Sequence, residues 1–174
     1  MTSPSSPPAP PEESGRPSLH EEHQELLAHL DHLRALAHEA PVRDEQILTS
    51  RLENVVGFLT DALLPHAAIE EKSLYPAVDR LLRATGGATR TMSIDHQEIG
   101  ERVGQLTAMA RQPLTPATRS AIATALSALE AVVRLHFRKE EEAYLPLLSR
   151  LSNAETADLA VALTAARDGL HHEH

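Results

Sequence analysis

The sequence predicts an all-α protein, an up-down-up-down four-helix bundle with an extra C-terminal helix. Three observations predict it. Apolar residues recur every three or four positions along four long stretches, no stretch shows strand-like alternation, and the links between stretches are short and marked by proline or glycine. At 174 residues, 41% of them hydrophobic, the chain can bury one sizeable core.

Residues 1–17 hold six of the twelve prolines and four serines, a composition that cannot order itself, and are read as a disordered tail. The bundle occupies residues 18–150. Its first helix starts at Ser18, an N-cap, and carries Leu19, Leu26, Leu27, Leu30, Leu33 and Leu36 until Ala40-Pro41 stops it. The second starts near Arg43, carries Leu48, Leu52, Val55, Leu59 and Leu63, and reaches about Arg83 before Gly86-Gly87. Pro65 and Pro76 are expected to kink or interrupt it, because an interior proline costs about 3 kcal/mol or more. The third carries Met92, Ile99, Val103, Leu106 and Met109 and stops before Pro113. The fourth begins near Pro116, carries Ile122, Leu126, Leu129, Val132 and Val133, and reaches Leu148, with Pro146 a further interruption. Residues 151–174 form an Ala-rich helix from Ala154 to Asp168, closed by Gly169 and packed outside the bundle, then a His-rich tail.

Bulk chemistry removes several function classes. A net charge of −9 without a basic cluster argues against nucleic acid or an anionic membrane surface as partner. The absence of cysteine excludes disulfides, iron–sulfur clusters and thiol catalysis. No run of about 18 apolar residues and no signal peptide is read, so a cytoplasmic protein is expected, a monomer or weak homodimer.

The polar residues repeat. His23-Gln24-Glu25-Leu26 returns as His96-Gln97-Glu98-Ile99. His66-x-x-x-Glu70-Glu71, with Tyr75-Pro76 after it, returns as His136-x-x-x-Glu140-Glu141, with Tyr144 and Pro146. At 100° per residue, both histidine–glutamate pairs lie within about 30° of the centre of an apolar stripe, whereas Glu71 and Glu141 fall about 100° away and are read as solvated. His23 lies on its stripe and His96 toward the edge of its own. His20, His29, His32 and His38 read as solvated or outer residues, and Tyr75 and Tyr144 as rim packing with hydroxyls within reach of the site.

Two buried carboxylates without partners would cost several kcal/mol each, so something must compensate them. Metal does so: two divalent ions offset the two carboxylates, and a hydroxide or exogenous anion reduces the excess charge. Six protein ligands around two six-coordinate ions leave open positions, which suit small-molecule chemistry. Imidazole and carboxylate without thiolate suit iron or manganese, with zinc the remaining option.

This pattern resembles the hemerythrin-like HHE cation-binding domain over about residues 18–150. The resemblance implies a diiron centre bridged by the two carboxylates and an oxo or hydroxo group and, by position, the ligands His23, His66, Glu70, His96, His136 and Glu140. It implies binding, sensing or handling of dioxygen, nitric oxide or peroxide. Oxygen-carrying hemerythrins have a second histidine one turn after the third-helix one, where this chain has Gly100. They also often carry Asp where Glu140 stands. Both departures make peroxide disproportionation the alternative to plain binding, and an iron-responsive regulatory module is a third option. Ferritin-like diiron bundles use Glu-x-x-His, and none precedes the four histidines.

Overall fold

The computed structural model describes residues 18–83 and 87–171, the side chains of 167–171 excepted. The expected tail at 1–17, Gly86 and the last three residues of the His-rich tail lie outside the described residues. Among the described residues every regular element is helical. The first rod is α1 (Leu19–Glu39). The second joins α2 (Glu45–Phe58), a π-helical turn (Leu59–Leu63) and α3 (Leu64–Lys72), with α4 (Leu74–Leu82) following a break. The third is α5 (Arg90–Ala110) and the fourth α6 (Pro116–Lys139), extended by a second π-turn (Glu140–Tyr144) and a 3₁₀ turn (Leu145–Arg150). α1 packs on α2 and α6, and α5 on α2, α3 and α6, which closes the bundle.

Local chemistry sets the starts. Ser18 accepts the Glu21 N–H at 3.2 Å while Glu21 accepts the Ser18 N–H at 2.7 Å, a reciprocal cap. Asp44 accepts the N–H groups of Gln46 and Ile47, and Thr115 that of Thr118, with Pro116 in the first turn where its missing N–H costs nothing.

The prolines do interrupt the second and fourth rods, each in its own way. Pro65 follows a π-turn in which the Leu64 N–H reaches back to Leu59 O. Pro76 falls in the first turn of α4 because the chain breaks at Ser73 (φ −129°), whose hydroxyl donates to Ile69 O at 2.6 Å. Pro146 follows the second π-turn, in which the Leu145 N–H reaches Glu140 O. The fourth rod is therefore α-helical to Lys139, short of the expected Leu148. The turn before α5 uses a left-handed Arg83 (φ 49°) and Gly87 (φ 81°). α7 (Asn153–His171) runs through Gly169 instead of stopping there, since one glycine costs a helix only about 1 kcal/mol. It lies outside the bundle on α3 and α4, burying Leu159 and Ala166.

Two apolar clusters result. The larger runs along the bundle and includes Leu30, Leu33, Leu52, Leu106, Leu126 and Val133; the smaller gathers Leu19, Leu74, Tyr75, Val78 and Met92. At the far end Arg119 donates to the carbonyls of Arg43 at 2.7 Å and Leu114 at 3.1 Å, tying two turns together. Within Pro116–Arg150 one window reaches a mean hydropathy of 1.3, apolar enough to span a membrane by composition, yet this rod packs in the core against α1 and α5.

Candidate metal centre

All six sequence-selected residues come together. His23 from α1, His66 and Glu70 from α3, His96 from α5, and His136 and Glu140 from the fourth rod aim their polar ends at one interior region. Ligand atoms of His23, His66 and Glu70 lie within 4.8 Å of one another, as do those of Glu70, His96, His136 and Glu140. Glu70 belongs to both groups. His23 Nε2 lies 3.2 Å from Glu70 Oε1 and 3.5 Å from Glu140 Oε2. His66 Nε2 is 3.1 Å from Glu70 Oε1, and His96 Nε2 is 3.4 Å from Glu70 Oε2. Both carboxylates are 0% exposed, and His66 Nε2, Glu70 Oε2 and Glu140 Oε2 have no hydrogen-bond partner.

This donor set fits a cation. His96 Nε2 and His136 Nε2 face each other at 2.9 Å, where two nitrogen lone pairs repel unless a cation or proton lies between them. Orphaned buried carboxylate oxygens are costly in the same way. Phe137 stacks on His23 at 4.7 Å and closes the apolar side.

Outside this set the structure shows a belt. The outward nitrogen of every site histidine meets a carboxylate from a neighbouring rod. His23 Nδ1 donates to Glu141 at 2.7 Å, His96 Nδ1 to Glu71 at 2.9 Å and His136 Nδ1 to Asp95 at 3.2 Å, and His66 Nδ1 lies 3.3 Å from Glu22. Each carboxylate is the chain neighbour of a different site residue, so each rod serves the ring on the next. Such partners place the proton on Nδ1 and turn the Nε2 lone pair inward, the form that binds metal.

The belt corrects the sequence reading. Glu71 is exposed and Glu141 partly so, as their stripes imply, yet each also orients a ring, that of His96 and of His23, because a side chain about 100° off its own stripe points at the adjacent rod. Lys139, read as part of a solvated run, pairs with Asp95. Tyr75 is 2% exposed rather than at the rim, and its hydroxyl donates to Glu140 at 2.6 Å. Tyr144 instead donates to Ala88 O at 3.1 Å, away from the site. His20 is an outer residue as read, 2.8 Å from the second oxygen of Glu141. His29 stacks on Phe58 at 4.5 Å, away from the centre. A signal for the belt was present: an acidic residue adjoins His23, Glu70, His96 and Glu140 in the chain.

Electrostatics follow from burial and proximity. Burial opposes charge on His66, but Glu70 and Glu22 outweigh it and push its pKa up to about 10. His136 is pushed down to about 4 by burial and by His96. Burial and the neighbouring Glu70 push Glu140 up to about 8 against the Tyr75 hydroxyl. Burial also opposes ionising Glu70, yet the histidines around it hold its carboxyl well below the usual range. Burial, reinforced by both carboxylates, raises the Tyr75 pKa and keeps it a donor.

A helical bundle enclosing imidazoles and carboxylates whose lone pairs converge defines the class: a metal-binding helical protein. The hemerythrin HHE cation binding domain matches residues 14–148, and the chain belongs to that family. Searches of curated proteins and of solved structures give no match.

Proposed function

We propose that this is a non-haem diiron protein. In this reading His23, His66, Glu70, His96, His136 and Glu140 hold two iron ions, and the centre binds dioxygen, nitric oxide or peroxide. The observation that carries it is the convergence of six donor side chains, five of them buried and His96 partly so, three of whose atoms are left without a hydrogen-bond partner. Glu70 is the residue suited to bridging, since its two oxygens face different histidines. The bound iron would supply an open coordination position and one-electron chemistry.

The protein's own side chains do the rest. Phe137 and the bundle core keep water away from the inward nitrogens. Tyr75 holds a proton 2.6 Å from Glu140, where it can stabilise negative charge. The side chain of His96, 8% exposed, borders a groove of about 350 Å³ between α3 and α5, lined also by Ala67, Ala68 and Ser93, a path for a small ligand.

Gly100 supports the second reading, disproportionation of hydrogen peroxide. One turn beyond His96 the chain has no donor, and a Cβ there would meet nothing within 4 Å. An ion held by His96 would therefore lack a ligand from that turn, a position that peroxide would take. Elemental analysis with an absorption spectrum tests the metal: two irons per chain support the diiron reading, and a protein that takes up none after iron loading sinks it. Stopped-flow mixing separates the two readings, since a persistent oxygenated band supports binding and oxygen evolution from peroxide supports turnover.

A further inference from the structure

The two ends of the centre have unequal outer partners. Glu141 gives His23 one oxygen at 2.7 Å and uses its other oxygen for His20. Asp95 offers His136 its Oδ2 at a longer 3.2 Å, and that same oxygen takes the Lys139 ammonium. A carboxylate accepting an imidazole N–H pushes electron density toward the ring's metal-facing nitrogen, and a more basic donor stabilises the higher charge on a bound ion. A permanent cation on the accepting oxygen withdraws that density.

We propose that Lys139 tunes the oxidation-state preference of the centre by drawing charge off Asp95. The His136 ring is thereby a weaker donor than Asp95 alone would make it, and the centre is held less firmly in the trivalent state. This inference rests on the diiron reading above and makes Lys139, Asp95 and Glu141 positioning residues that act through the rings they orient or screen.

The test is a redox titration of iron-loaded protein with iron content measured for each variant. Lys139→Met should shift the oxidised-to-reduced ratio at fixed potential about tenfold toward oxidised, which is about 59 mV for one electron. Asp95→Asn and Glu141→Gln should shift it toward reduced. Placed on the Asp95→Asn background, Lys139→Met should lose most of its effect. A merely structural role would move all three single variants the same way. A null or reversed shift for Lys139→Met, or an equal shift on both backgrounds, overturns the proposal while leaving the diiron reading intact. Should Asp95→Asn or Glu141→Gln fail to load iron, Lys139→Met, which keeps all four outer carboxylates, decides alone. Wild-type protein that takes up no iron overturns both readings together.

Discussion

The segments His66–Pro76 and His136–Pro146 carry the same pattern and follow different paths. After Glu70 the chain continues as α-helix to Lys72 and breaks at Ser73; from Glu140 it widens into a π-turn. The tyrosines differ with it. Tyr75 stands nine residues after its histidine and turns in onto Glu140, whereas Tyr144 stands eight after and turns out to Ala88. A one-residue offset is about 100° on a helix, enough to exchange interior for exterior. The duplicated motif thus builds a centre whose halves are chemically distinct: Glu70 lies 3.1–3.4 Å from His23, His66 and His96, whereas Glu140 lies 3.5 Å from His23 and His136 and also receives the phenol.

The sharpest way to break this comparison is to remove each carboxylate in turn. On the diiron reading, Glu70→Ala, which leaves the first group only His23 and His66, should cut bound iron more sharply by elemental analysis than Glu140→Ala, which leaves three donors in each group. Equal losses would mean the halves are equivalent. A smaller effect separates the tyrosines. Tyr75→Phe strips a buried donor from Glu140 and should destabilise the metal-free protein by about 1–3 kcal/mol in thermal unfolding; Tyr144→Phe, more exposed, should cost about 1 kcal/mol or less.

The smallest expected effect is in pH. In the metal-free protein Glu140 titrates at about 8, above its ordinary 4.5, so the fold keeps a proton that the unfolded chain has released. Stability from this group is full below pH 4.5 and lost as pH rises through 8. His66, raised from 6.5 to about 10, contributes stability that is full below 6.5 and lost through 10. Calorimetry of metal-stripped protein should show melting temperature falling from pH 7 to 10. Glu140→Gln should make the fall between pH 7 and 8 shallower and leave the fall from pH 8 to 10, which His66 carries.

Much of this was legible in the sequence. The helical period located the four rods, Ser18 and Pro116 marked starts, and the repeat singled out all six inward residues because each lies on or beside an apolar stripe. The belt was not legible from stripes, since Glu22, Glu71, Asp95 and Glu141 serve rings on other rods, and a single-helix projection places them outside. Nor was the contrast between Ser73 and the second π-turn, because a proline states that an interruption is needed without stating its form.

The belt also bears on how the two halves of the chain depend on each other. Within the first half Glu22 meets His66, and within the second Asp95 meets His136. The other two contacts, Glu141 to His23 and Glu71 to His96, cross between halves. Severed between α4 and α5, each fragment would hold one ring oriented, one ring loose and one acid with nothing to receive. The missing complement of either fragment is the other, so the polar interior acts as a mutual recognition code for joining them.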